Sequence, residues 1–316
     1  MRSRKITSSL LLVLTAFIWG SAFVAQSKGA DLVDTFTFNA VRFFIGGLVL
    51  IPVIFLMKAL NRKEAGDVTE NPPASGVSKG TVWIGGILCG IALGIAANLQ
   101  QFGIAYTTTG KAGFLTACYI VLVPIFGLFL KKKTGPFIWI GVLLAMVGFV
   151  FLCFIGKSSE SLNGVPGITL GAVSISIGDL AIFACSIVFA VQILLIDHFS
   201  PLVNGVMMSS IQFFTVSAIS AIGMLIFEKP DIHNILGAAV PILYTGVLSS
   251  GVAYTLQILC QKNLNPTVAS LIMSLESSFS LICGWIILGE RMSVYEMIGC
   301  GLIFVAIILA QLPQRR

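Results

Sequence analysis

The stretch Gly94-Ile95-Ala96-Ala97-Asn98-Leu99-Gln100 returns in the second half of the chain as Gly251-Val252-Ala253-Tyr254-Thr255-Leu256-Gln257. The same register sets Ala112 on Ala269, Thr116 on Met273 and Tyr119 on Glu276. Upstream, Phe23-Val24-Ala25-Gln26 matches Phe189-Ala190-Val191-Gln192, and Arg42-Phe43-Phe44 matches Gln212-Phe213-Phe214. The chain therefore reads as a duplication, span for span. Duplicated membrane halves with an odd number of spans face opposite ways, which is the usual architecture of a secondary transporter.

Composition points the same way. Of 316 residues, 57% are hydrophobic and 10% are charged, with a mean hydropathy of +1.00. A span needs roughly 20 mostly apolar residues to cross about 30 Å of hydrocarbon. Ten such stretches are predicted, at about 7–27, 36–57, 82–103, 112–130, 137–156, 177–196, 203–227, 236–258, 266–288 and 294–312. They lack barrel alternation, and lipid satisfies no open strand edge, so they are helices. The expected fold is an all-α integral membrane protein with ten transmembrane helices in two inverted five-helix repeats. Residues 1–156 form the first repeat, 157–172 a linker and 173–316 the second.

The net charge of +6 is a topology signal, not a nucleic-acid signal. With the N-terminus inside, most Lys and Arg fall in the cytoplasm, among them Arg2, Arg4, Lys5 and Lys131 to Lys133. This predicts both termini inside a plasma membrane. Residues 1–25 resemble a secretory signal, but the apolar stretch is too long and no small-x-small site follows, so it reads as an uncleaved first span. The seven Cys all fall in proposed spans without ligand spacing and read as small packing residues.

Trp19-Gly20-Ser21-Ala22-Phe23, Arg42-Phe43, Thr109-Gly110-Lys111-Ala112-Gly113-Phe114-Leu115-Thr116, Pro124, Leu275-Glu276 and Leu288-Gly289-Glu290-Arg291 occur in that order along the chain. Together they resemble the EamA-type branch of the drug/metabolite transporter superfamily, over essentially the whole chain and in both halves. The resemblance implies a bacterial inner-membrane carrier with a central cavity. Spans one, three, four, six, eight and nine would surround that cavity, with five and ten peripheral. It also implies exporters or exchangers of small metabolites, amino acids or drugs. Many relatives carry Pro after the Leu-Glu of the ninth span. This chain has Ser277-Ser278, which predicts a less kinked helix there.

Polar groups at membrane depth are costly and mark function by default. Glu276 lies about 12 residues from either end of its span, roughly 18 Å at 1.5 Å per residue. It contacts substrate, couples protons, or hydrogen-bonds between helices. Its repeat mate Tyr119 shares its depth. Gly86, Gly90 and Gly94 precede Asn98 and Gln101 at helical spacing and form one face. Gln26 and Gln192 are mates near opposite surfaces, and Gln100 and Gln257 a second pair. Trp19 and Tyr254 offer aromatic walls. The candidate substrate-binding set is therefore Trp19, Gln26, Asn98, Gln101, Tyr119, Gln192, Tyr254 and Glu276. Arg42 reads as an interfacial, snorkelling cation, which the resemblance raises to a structural or gating candidate; Asp179 reads as a helix N-cap, and Lys111 as a solvated helix end or a lure for anions. Pro124 removes a backbone hydrogen bond inside the fourth span and is a candidate hinge.

No catalytic or metal-ligand cluster appears, since His198 and His233 stand alone in short loops, and no Walker loop is present. The expectation is a non-enzymatic carrier without cofactor, driven by a gradient or by exchange. Its partners are a small-molecule substrate, the lipid bilayer and, as candidate coupling ion, protons; a homodimer is the candidate assembly. A site built of Gln, Asn, Tyr and one Glu suits a neutral, zwitterionic or amphipathic solute. The alternatives are a nucleotide-sugar or other anionic-metabolite carrier, or an importer.

Overall fold

The computed structural model describes residues 2–65, 79–107, 109–131, 135–153, 167–170, 173–289 and 294–311. Helix α1 runs Arg2–Ala30, α2 Thr35–Ala65, α3 Lys79–Ile104, α4 Thr109–Ala117, α5 Tyr119–Phe129 and α6 Pro136–Cys153. After a hairpin come α7 (Ile177–Phe199), α8 (Gly205–Phe227) and the short α9 (Ile232–Gly237). Then α10 (Ala239–Leu243) continues through a π-helical stretch, Tyr244–Tyr254, into α11 (Thr255–Gln261). Helices α12 (Pro266–Met273) and α13 (Leu275–Cys283) follow, with a π turn at Gly284–Leu288, and α14 (Val294–Gln311) is last.

Among the described residues, eight helical stretches are long and apolar enough to cross a membrane. Three of them are composite: Thr109–Phe129, Ala239–Gln261 and Pro266–Leu288. The fifth and tenth predicted spans correspond to shorter apolar stretches, Pro136–Gly148 and Met297–Ala306. The expected linker also contains structure. Strand β1 (Gly167–Leu170) pairs antiparallel with β2 (Val173–Ser176), where β-branched residues cluster. Lys132, Lys133, Glu290, Arg291 and most of the linker lie outside the described residues.

The helices begin where the sequence supplies acceptors for their free N–H groups. Ser176 caps α7 and forms a capping box with Asp179, so Asp179 is the third helical residue and not the N-cap expected of it. Asn204 caps α8, and Asn265 caps α12 with Pro266 in its first turn. Helix α2 borrows its cap from the other half. Glu228, at the end of α8, accepts from the backbone of Phe36 and Thr37 at 2.7 Å each, and from Thr37 Oγ1 at 2.8 Å.

The molecule is apolar outside and polar within. Phe55, Leu56, Leu225, Phe227, Val240 and Ile286 point outward and are largely exposed, as a lipid-facing surface requires. Gln26, Arg42, Gln100, Gln192, Gln212, Gln257 and Glu276 are buried. Close helix contact holds the interior together, since lipid offers no hydrophobic drive between helices. The glycine face of α3 meets α8: a Cβ on Gly86 would strike Ile211, and one on Gly90 would lie 2.6 Å from Thr215 Cβ and 2.9 Å from the Gln212 carbonyl. Helices α2 and α8, α3 and α7, and α1 and α13 also pack along their lengths, while α6 and α14 pack chiefly on each other.

Gly90→Val should overpack the α3–α8 contact and cost about 1–3 kcal/mol, read as a lower melting temperature in detergent. Gly301→Ala, with nothing within 4 Å of the added methyl, should leave it unchanged.

Candidate functional site

Two of the spans are interrupted at one residue near their midpoints, where Cys118 and Ser274 keep right-handed helical angles and the backbone bonding tightens locally to three-residue steps. In the span Thr109–Phe129, α4 ends at Ala117 and α5 starts at Tyr119. The Cys118 N–H bonds back only three residues, to the Leu115 carbonyl at 3.3 Å. Pro124, one turn on, can offer no N–H to the Ile120 carbonyl. In the span Pro266–Leu288, α12 stops at Met273 and α13 starts at Leu275. The straighter helix expected from Ser277-Ser278 is therefore not found. Serine hydroxyls bond the backbone on both sides of the interruption. Ser270, Ser274, Ser277 and Ser280 each donate to the carbonyl three residues back, at 2.7–2.9 Å, and such back-bonding bends helices.

The two breaks carry the repeat mates Tyr119 and Glu276, which meet. Tyr119 Oη donates to Glu276 Oε1 at 2.9 Å, with both side chains buried. A Cβ on Gly20 of α1 would come within 2.8 Å of the Glu276 carbonyl, so glycine lets α1 close over this point.

Beside the pair lies a small cavity of about 30 Å³. That is room for about two waters. The walls close tightly around the site, and a larger solute enters only if helices part. Helix α1 contributes Trp19, Phe23 and Gln26, α3 Gln100, and α7 Phe189, Gln192 and Ile193. The π-helical span adds Ser249, Tyr254 and Gln257, and the broken spans Thr116, Tyr119, Met273 and Glu276. The Trp19 and Tyr254 rings tilt together at 4.7 Å between centroids, and Trp19 Nε1 makes a long 3.4 Å bond to the Ser249 carbonyl.

Helix α2 also reaches the cavity, through Arg42. This corrects the reading of Arg42 as an interfacial, snorkelling residue. It is 2% exposed, donates through Nη1 to Gln26 Oε1 at 2.9 Å, and lies over the rings of Phe43 and Phe38. The available signal was its depth. Arg42 stands seven residues into α2, about 10 Å along the axis, which is further than a cation at a helix end.

Six of the eight sequence-predicted binding residues line this cavity: Trp19, Gln26, Tyr119, Gln192, Tyr254 and Glu276. Asn98 and Gln101 do not. Asn98 ties three helices together, donating to the Gly94 carbonyl (2.7 Å) and Ser220 Oγ (2.9 Å) and accepting from Asn39 Nδ2 (2.9 Å). Gln101 Nε2 donates to the Gln26 carbonyl at 3.1 Å. Lys111, near the start of α4 and partly exposed, does not line the cavity. Its Nζ pairs with Asp179 Oδ2 at 2.6 Å, and Thr107 Oγ1 donates to the other carboxylate oxygen at 2.9 Å.

The polar wall is unevenly satisfied. Gln100 Nε2 donates to Thr116 Oγ1 at 3.1 Å. Both amide atoms of Gln192, Gln257 Oε1 and Arg42 Nε are buried without a partner among the described residues. No group of His, Cys, Asp and Glu suited to a metal occurs among the described residues.

Comparison with known proteins places this architecture. The EamA-like transporter family matches residues 6–154 and again residues 176–312. The chain belongs to the EamA-like transporter family. An uncharacterized transporter of Archaeoglobus fulgidus is 29% identical over 98% of this chain and 87% of its own length. The inner membrane transporter YedA of Escherichia coli is 23% identical over 93% and 87%, and YoaV of Bacillus subtilis 21% identical over 92% of each. A solved crystal structure with 20% identity superposes on 97% of both chains at a TM-score of 0.69, which shows a shared fold. This EamA-like chain is thus a multi-pass membrane transporter and not an enzyme.

Within the EamA-like fold, scaffold and site polar groups should respond oppositely to removal. Asn98→Leu strands the partners of a buried network and should cost about 1–3 kcal/mol. Gln192→Leu removes two unpartnered groups and should hold or raise stability. Thermal unfolding in detergent checks both.

Proposed function

We propose that the chain is a secondary transporter that exports a small organic solute, such as an amino acid, a related metabolite or an amphipathic drug, across a bacterial inner membrane by alternating access. The observation that carries this reading is the Tyr119–Glu276 bond at two helix breaks beside the cavity. Broken helices around a midplane site are the usual construction of secondary carriers. The cavity walls supply both apolar rings and amide groups, which suits a neutral, zwitterionic or amphipathic solute. One cation lines it, too few for the phosphates of a nucleotide sugar.

We read the helices as two inverted five-helix repeats, 1–156 and 173–316, with both termini cytoplasmic. Two family matches, one in each half, support the duplication. The pairing of α6 with α14 supports a peripheral place for the last helix of each. A difference between the repeats supports alternating access. Arg42 and Gln26 are joined at 2.9 Å, whereas their mates Gln212 and Gln192 have every amide atom buried and unpartnered. A carrier closed on one side has this asymmetry: a contact made in one repeat and open in the other. With no nucleotide-binding loop in the sequence, the drive is a gradient or exchange, and Glu276 is the proposed proton-coupling residue.

The test is counterflow in proteoliposomes with a labelled panel of amino acids, amines, monocarboxylates, sugars and phosphate esters, with and without an imposed pH gradient. The wild type should accumulate its solute with the gradient. Glu276→Gln should lose that accumulation while exchange persists. Transport unaffected by both gradient and substitution would reduce Glu276 to helix packing. No movement of any solute would overturn the transport reading of the cavity.

A further inference from the structure

Arg42 presents a charge problem that the fold does not solve. Arginine stays protonated in proteins, and holding it away from water is costly unless an opposite charge compensates. Among the described residues no carboxylate lies within ion-pair distance of Arg42, and the one ion pair, Lys111–Asp179, is elsewhere. Glu276 lines the same cavity, yet its Oε1 is engaged by Tyr119. What Arg42 does have is one amide oxygen, from Gln26 at 2.9 Å, and two aromatic faces, Phe43 at 4.7 Å and Phe38 at 5.5 Å from the guanidinium carbon. These hold the side chain in place without neutralising it.

The guanidinium is also incompletely bonded. Nε, one end of the Nε–Nη2 edge with which arginine forks a carboxylate, is buried without a partner. Arg42 is a residue of the cavity wall, so Nε is a donor that a helix movement at the cavity can free. The missing anion is therefore one that arrives with the cargo. One guanidinium opposite one carboxyl side chain matches a single negative charge on a compact, planar group. The neighbouring Trp19 and Tyr254 rings accommodate an apolar body attached to it.

We propose that Arg42 is a specificity-determining residue of this transporter, docking a carboxylate of the solute and making that carboxylate a requirement for transport. The inference rests on the cavity being the transport site. It adds that a solute is selected by its carboxylate and not only by its size or apolar body. Lysine keeps the charge but cannot fork a carboxylate, so Arg42→Lys separates charge from geometry.

The experiment extends the proteoliposome counterflow panel. Each solute that moves is tested for competition by its own carboxamide, which keeps the shape and removes the charge, and transport is repeated with Arg42→Lys and Arg42→Gln. The expected result is that every moving solute bears a carboxylate and that its carboxamide competes at least about tenfold less well. Arg42→Lys should raise the half-saturation concentration about tenfold or more with exchange retained, and Arg42→Gln should abolish exchange. Movement of a sugar or of an amine without a carboxylate overturns the inference while leaving the transport reading intact. So does a carboxamide that competes as well as its parent, or undiminished exchange by Arg42→Gln. Movement of no solute overturns both. The carboxamide comparison uses wild-type protein, so it decides the matter even if the Arg42 variants do not fold.

Discussion

The hydrogen bond between Tyr119 and Glu276 joins two helices at the points where each is interrupted. Continuous helices would carry their backbone bonds past the centre of the bilayer and leave nothing there but side chains. Here the regular α-helical pattern lapses at Cys118 in the fourth span and at Ser274 in the ninth. Both breaks fall beside the one acid that lines the cavity. Gly20 lets α1 lie against the ninth span at this place, and the α1 aromatic Trp19 then closes on Tyr254 from the π-helical span. The polar pair adds to a close packing of the same two spans, in which Gly110 and Gly113 of α4 lie against Leu281, Ser277 and Ser280 of α13.

Buried polar groups in this protein fall into two populations. The first is fully engaged: Asn98 with Asn39 and Ser220, Asp179 with Lys111 and Thr107, Glu228 on the first turn of α2. These tie helices of different halves together, and they work because lipid offers polar groups no alternative partner. The second population is under-bonded: at the cavity Gln192, Gln257 and Arg42, and away from its wall Asn39, Gln101, Gln212 and Gln261. A folded protein retains such groups at a cost, because each unmet donor or acceptor has given up its water. In an EamA-like transporter the cost has a use, since cargo or a rearranged helix can supply the missing partners.

Much of this was legible in the linear sequence. Apolar run length and charge identify a multi-pass membrane protein, and the ordered motifs identify the family. The repeat register led to Tyr119 and Glu276 as a pair before any contact was known. Other features were not legible. Asn98 and Gln101 share a face with the glycines of α3, and the pattern does not tell a helix-facing stripe from a cavity-facing one. Arg42 looked interfacial because it lies within about two turns of the start of its span, and hydropathy does not show which neighbouring helices bury it. The break at Ser274 was hidden because serine back-bonding leaves no mark as plain as proline.

The sequence by itself determined that this chain crosses a membrane repeatedly, that its halves are copies, and that an acid stands at mid-span. Those follow from run length, periodicity and repeat register, which are properties of one strand of residues. Tertiary structure decided which polar groups meet and which remain unpartnered. Those facts depend on the crossing of helices distant in the chain, and a difference of one helical face separates an asparagine bonded between helices from a glutamine on the cavity wall.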